Sequence, residues 1–239
     1  MITLDNISKI FYTSDVQTHA LDSVNLTIDR GEFVSIMGPS GCGKSTMLNI
    51  MGLLDEPTSG SLTIDGVNSA GMTDKQLAAL RNRKLGFIFQ SFHLIPALNV
   101  MDNVTLPMLY RPRSLSGAEL RKRAEEVLAK VDLAHRMKHF PTQLSGGQCQ
   151  RVAIARALMG APEVILADEP TGNLDSKMGA EIMAILKHLN AEGTTIVMVT
   201  HDEKIAEQTG RIVRMEDGKI IPDIYKVSRV SPAEALHNE

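Results

Sequence analysis

The chain has 239 residues, 43% apolar and 22% charged, with a formal net charge of −3; this balance suits one folded domain, or a domain with a lobe, and excludes disorder, collagen and coiled coil as whole-chain descriptions. A pI near 6.2 leaves no global basic field, which argues against nucleic acid as a partner. No apolar run approaches the roughly 18–20 residues of a membrane span, the opening MITLDNISKI lacks the pattern of an export signal, and two cysteines, Cys42 and Cys149, cannot build a disulfide framework, so a soluble, cytoplasmic chain is expected.

Strand patterns come first. Residues 2–7 alternate in polarity, and Val24, Leu26 and Ile28 alternate again before the break at Arg30-Gly31. Residues 33–37 form a compact apolar run ending in the glycine-rich stretch 38–43, and residues 47–51 suit a buried helix. Strand, glycine-rich loop and helix in that order open a parallel α/β sheet. Thr73 and Gln76 have the spacing of a capping box at the head of a helix over 73–84, with a short strand over 85–89 behind it. From about residue 99 to 160 helix signals replace strands. Ser116 and Glu119 form a second capping box, Leu120, Ala124, Val127, Leu128 and Val131 follow at helical spacing, and residues 151–159 read as another helix. The sheet resumes with the all-apolar run 164–167, as expected of a strand buried on both faces. A helix with Met178, Ile182, Ile185, Leu186 and Leu189 on one stripe follows, then strands over 195–200 and 212–215. Beyond Pro222 no core face can be traced.

Three constellations carry chemistry. Gly38-Pro39-Ser40-Gly41-Cys42-Gly43-Lys44-Ser45-Thr46 matches G-x-x-x-x-G-K-[ST] between a strand and a helix, where that phosphate-binding loop must sit. Glycines let backbone N–H groups close on phosphates, the following helix directs its partly positive end at the same anion, Lys44 serves the β- and γ-phosphates, and the Ser45 hydroxyl can ligate Mg²⁺. Asp168 and Glu169 end the apolar strand at the edge where open α/β sheets bind ligands. Asp168 suits the metal shell and Glu169 can polarise a water. Ser145-Gly146-Gly147-Gln148, after Leu144 and ahead of a helix beginning near Gln150, reads either as a plain glycine turn or as a second anion site serving a neighbouring copy's nucleotide.

Together these strings resemble the nucleotide-binding subunits of ABC transporters. Gly38–Thr46 is similar to their Walker A, Asp168-Glu169 to Walker B, and Leu144–Gln148 to the signature motif; Gln90 matches the Q-loop, Asp175 the D-loop and His201 the switch histidine, all in the family's order over about residues 1–220. Residues 34–41, 94–96 and 169–175 are further similar to the MacB/LolD-type subfamily. The resemblance implies an α/β P-loop NTPase core with an N-terminal antiparallel β region and an inserted helical subdomain. Its expected bounds are 1–222 for the ATPase domain, about 97–160 for the helical part and 223–239 for a C-terminal tail.

It further implies ATP and Mg²⁺ bound between two copies, with phosphates on Gly38–Thr46 of one and Ser145–Gln148 of the other. Ser45, Gln90 and Asp168 would face the metal, Glu169 would orient the water, and His201 would contact the γ-phosphate. Phe11, with Tyr12 adjacent, takes the place of the tyrosine that the family usually stacks on adenine. The expected partners are a second copy, a separate transmembrane permease subunit and a periplasmic or extracytoplasmic adaptor, with the chain peripheral on the inner face of the cell membrane. Two rivals stay open: a soluble ABC ATPase without a membrane partner, and a regulatory subunit that moves no cargo. Cys42 and Cys149 read either as small buried residues or as thiols facing one nucleotide across the dimer.

Overall fold

The computed structural model describes residues 1–12, 16–111 and 115–221; the expected tail at 223–239 lies outside them. In chain order the elements are β1 (Ile2–Tyr12), β2 (Gln17–Ile28), β3 (Phe33–Met37), α1 (Lys44–Met51), β4 (Ser59–Ile64), β5 (Val67–Asn68), α2 (Asp74–Lys84), β6 (Leu85–Phe89), α3 (Val100–Thr105), α4 (Gly117–Lys130), α5 (Gly146–Leu158), β7 (Val164–Asp168), α6 (Ser176–Ala191), β8 (Thr195–Val199), α7 (Glu203–Ala206), β9 (Arg211–Glu216) and β10 (Lys219–Ile221). They build a four-stranded antiparallel sheet, order β2-β1-β4-β5, and a six-stranded sheet, order β10-β9-β3-β8-β7-β6. The second is parallel from β9 to β6, with β10 antiparallel on one edge. Between α3 and β7 the regular elements among the described residues are helices and three 3-10 turns.

Period-two alternation explains how one strand run is buried on both faces. Val164 and Leu166 of β7 and Val197 and Val199 of β8 face a core shared with α1 and the antiparallel sheet. Ile165, Ala167, Ile196 and Met198 face the opposite core, made with α3 to α6. These strands need apolar residues at every position for that reason, and each fully buried Val, Leu or Ile contributes roughly 1.5–3 kcal/mol. Lys84, the last residue of α2 immediately before β6, ion-pairs with Glu163 and, at 2.6 Å, with Asp65 in the β4–β5 turn. Arg30 reaches the same two carboxylates. This cluster ties the antiparallel sheet to the N-terminal ends of β6 and β7.

The capping boxes expected at Thr73–Gln76 and Ser116–Glu119 are formed. Helix α5 begins at Gly146 rather than near Gln150, because a third box, Ser145 with Gln148, starts the helix across its two glycines. Strands β1 and β2 outrun the expected spans, since pairing continues to Tyr12↔Gln17 where the residues are exposed and lack a burial alternation. The β4–β5 hairpin was not expected, although Asp65-Gly66 between Ile64 and Val67 is a hairpin signal. On α6, Met183 joins the core stripe. Met178 packs instead where a Cβ at Gly147 would meet its Sδ at 2.7 Å.

Candidate functional site

Four neighbouring strands deliver the candidate residues to one edge. In the order β3-β8-β7-β6 the register aligns Ile36 with Val199, Val199 with Asp168, and Asp168 with Phe89. All four strands run the same way, so the residues that follow emerge side by side at their C-terminal ends, roughly 4.8 Å per strand. Those residues are Gly38 to Thr46 after β3, Thr200-His201 after β8, Glu169 after β7 and Gln90 after β6.

The loop after β3 is shaped by glycine. Gly43 is the N-cap of α1 at φ 102°, and a Cβ there would lie 2.2 Å from the carbonyl oxygen of Ala20 on β2. Gly38 is equally crowded, 2.2 Å from the Met215 carbonyl oxygen. No side chain caps α1 and no acid lies in its first turn, so its leading N–H groups are directed at the loop. Lys44 is buried, and its Nζ donates to the carbonyls of Gly38 at 2.8 Å and Pro39 at 2.7 Å. Ser45 is exposed beside it. An uncapped helix end, a lysine folded over it and an accessible hydroxyl fit a nucleotide phosphate chain.

Asp168 and Glu169 separate by environment. Burial, and next the Glu169 charge, push the Asp168 carboxyl above its ordinary range, while Lys44 pulls it down. A cation at this position would favour the charged carboxylate against both effects. Among the described residues no group of three His, Cys, Asp or Glu side chains could hold a metal unaided. Glu169 adopts φ 46°, rare for a non-glycine residue and disfavoured ahead of Pro170. Its N–H donates to the Val199 carbonyl at 3.0 Å, and its Oε1 lies 2.7 Å from Nδ1 of His201. Gln90 is held by Asn173: the Asn173 Nδ2 donates to the Gln90 carbonyl at 3.0 Å, and Gln90 Nε2 reaches Asn173 Oδ1 at 3.4 Å. A Cβ on Gly172 would meet Gln90 Nε2 at 2.7 Å and Glu169 Oε2 at 3.2 Å, so Gln90 and Glu169 flank one glycine.

Lys44, Asp168, Glu169, Gln90 and His201 are thus brought together. Ser145–Gln148 are not: these residues make no hydrogen bond to residues 38–46 among the described residues. Ser145 Oγ accepts from the Gln148 N–H at 3.3 Å, and Gln148 Oε1 accepts from the Ser145 N–H at 3.0 Å. Asp175 caps α6 by accepting from the Met178 N–H. Phe11 is 44% exposed at the end of β1 with Lys9 Nζ 5.1 Å from its ring centre, and Tyr12 is 64% exposed. Cys42 and Cys149 are both buried, and burial pushes the Cys149 thiol up, away from thiolate character. Gly172 and Asn173 lie within the stretch 169–175 but carried no expected role there, and Gln150 is an addition that no motif singled out. Gln150 had one available signal, a glutamine inside a helix that is otherwise buried over most of its length.

The ABC transporter family profile matches residues 21–172. The uncharacterized ABC transporter ATP-binding protein YknY of Bacillus subtilis is 53% identical over 222 residues, covering 93% of this chain and 96% of that protein. The macrolide export ATP-binding/permease protein MacB of Agrobacterium fabrum is 48% identical over 236 residues, covering 99% of this chain and 36% of that protein. The solved dimeric structure of a post-hydrolysis state of the ATP-binding cassette MJ0796, bound to ADP and Pi, matches with a TM-score of 0.85 at 50% identity, covering 92% of this chain and 96% of that one. MJ0796 comes from Methanocaldococcus jannaschii.

Proposed function

The chain belongs to the ABC transporter family as an ATP-binding, ATP-hydrolysing subunit, and from that premise we propose which residues carry the reaction and what the reaction drives. Such subunits work as dimers with a membrane permease partner. In the proposal, phosphates rest on Gly38–Thr46 of one copy, and Ser145–Gln148 of the second copy close over them. Phe11 stacks on adenine. Lys44 exchanges its carbonyl partners for the β- and γ-phosphates. Ser45, Gln90 and Asp168 hold Mg²⁺, which supplies charge neutralisation at the phosphate oxygens when bound.

Glu169 orients the attacking water, and His201, with Nδ1 engaged by Glu169, presents Nε2 toward the γ-phosphate. Phosphoryl transfer asks mostly for positioning and charge stabilisation, which dividing the donors between copies makes conditional on closure. The observation that carries this reading is the 2.7 Å contact of Glu169 with His201 on the strand edge that also bears Lys44 and Gln90. The test is Glu169→Gln, which should keep ATP binding, accumulate an ATP-bound dimer and lose roughly 10²–10⁴-fold in turnover, as for a lost general base. Near-normal turnover would remove Glu169 from the role.

The work delivered would go to a MacB/LolD-type membrane subunit, with this chain on the cytoplasmic face and an extracytoplasmic adaptor on the far side. No helix among the described residues is long and apolar enough to cross a membrane, so the path for cargo would belong to that partner. A groove of about 410 Å³ between the parallel sheet and the helices, with Leu54, Phe89, His93, Pro107 and Tyr110 on its walls, supports a permease contact here. Tyr110 on its wall is 76% exposed, and Leu109, its neighbour in sequence, is 73% exposed. Capture of tagged Glu169→Gln protein from solubilised membranes with Mg-ATP should recover a stoichiometric membrane protein. Recovery of soluble protein alone would overturn the membrane assignment.

A further inference from the structure

Helix α5 grips two strained loops from behind with two polar side chains that the proposed reaction does not use. Gln150 is fully buried, and its Nε2 donates to the Pro170 carbonyl at 2.6 Å, while its Oε1 has no hydrogen-bond partner. Leaving a buried amide oxygen unpaired is costly, and an apolar residue would avoid that cost. The compensation lies in what the amide nitrogen holds. Pro170 follows Glu169, whose left-handed backbone persists only where its surroundings over-determine it. The Val199 carbonyl fixes the N–H side of Glu169, and Gln150 fixes the peptide beyond it.

Six residues further along the same helix, Arg156 repeats the arrangement. Its guanidinium donates to the carbonyl of Phe92, at 2.6 Å, and to that of His93. These are consecutive non-glycine residues at φ 60° and 49°, immediately after Gln90-Ser91. No carboxylate among the described residues pairs with Arg156, so its charge is spent on backbone carbonyls. At the N-terminus of α5, a Cβ on Gly146 would touch Leu174 and Phe92, members of the same two loops. One rigid helix therefore carries Ser145–Gln148 at its end and holds the loops of Glu169 and Gln90 along its side.

We propose that Gln150 and Arg156 are positioning residues that tie the placement of Glu169 and Gln90 to helix α5, so that contact made on Ser145–Gln148 by the nucleotide of one site adjusts the hydrolytic groups of the other. The proposal rests on the roles assigned above to Glu169, Gln90 and Ser145–Gln148. It differs from a purely structural role in its expected signature: turnover falls while folding, ATP affinity and dimer formation are retained.

The test uses the full chain with Gln150→Met, which keeps the side-chain length, removes the donor and also removes the unpaired oxygen. Arg156→Lys, which keeps the charge but loses the two-pronged grip, is measured beside it and decides the question if the first variant does not fold. For each, kcat, the KM for ATP, the thermal midpoint and the lifetime of the ATP-bound dimer on a sizing column are compared with the parent and with Glu169→Gln. Since misplacement of about 1 Å can cost on the order of 10²-fold, kcat should fall about tenfold or more. KM should stay within about twofold, the midpoint of Gln150→Met should stay near the parent's, because the unpaired oxygen is removed while the Pro170 carbonyl loses its donor, and the ATP-bound dimer should persist longer than the parent's. A folded variant with parental kcat, while Glu169→Gln is inactive, overturns the proposal and leaves the assignment of Glu169 standing. Loss of dimer and midpoint in step with kcat overturns it in favour of a structural role. Parental turnover in Glu169→Gln overturns both.

Discussion

Gly41 and Gly43 lie two residues apart in the phosphate loop, both left-handed at φ 82° and 102°, yet their surroundings differ. A Cβ on Gly41 would meet nothing within 4 Å, whereas one on Gly43 would sit 2.2 Å from the Ala20 carbonyl oxygen and 3.0 Å from Leu21 Cδ2. Alanine at either position bears the left-handed cost, about 1–2 kcal/mol. Only Gly43→Ala adds a collision with backbone of β2, which cannot rotate away, and overpacking of that kind costs about 1–3 kcal/mol more. At roughly 2–4 °C per kcal/mol for a domain of this size, Gly41→Ala should lower the thermal midpoint by about 2–8 °C. Gly43→Ala should lower it by a further 2–12 °C or so. Because α1 must shift to relieve the clash, nucleotide binding, measured by fluorescent-nucleotide titration, should weaken more in Gly43→Ala as well. Equal losses of midpoint in the two variants would refute the reasoning, since they would mean that β2 does not constrain the loop.

Gly172→Ala should separate stability from chemistry. Its new methyl meets the mobile end of Gln90 at 2.7 Å rather than backbone, so the midpoint should hold while turnover drops about tenfold or more through displaced Gln90 and Glu169; an active variant would show that Gln90 is not held against this turn for function. Acid stability should depend on Lys84. Its hydrogen bond is the largest influence holding both Asp65 and Glu163 below their ordinary carboxylate range. Carboxyls depressed in this way bind protons more readily in the unfolded chain, so their contribution is complete above about pH 4–5 and is lost as pH falls further. Lys84→Met should therefore lower the midpoint at pH 7 and flatten its decline below pH 5, and an unchanged acid limb in a midpoint-versus-pH series would count against this account.

The sequence by itself determined much, though not all, of what one stretch of chain can specify. The phosphate loop was readable because its backbone geometry demands glycine at set intervals and a lysine at the helix start. Helix starts at Thr73 and Ser116 are marked because a capping box closes within four residues, whereas the third box, Ser145 with Gln148, emerges only in the structure, where α5 starts at Gly146 rather than near Gln150. Strand β7 was readable because burial on both faces requires an unbroken apolar run. The strand order β3-β8-β7-β6 was a different matter. It joins residues from about 30 to about 160 positions apart, and no local preference encodes which parallel strands become neighbours. Only tertiary structure therefore set His201 against Glu169, Asn173 against Gln90 and Gln150 beneath Pro170. Each is a contact between side chains or carbonyls of separate elements, with a geometry that exists only after the two cores have packed the sheet from both sides. Residue types announce which chemistry is available along the chain; the packed sheet decides which of them can act on the same atom.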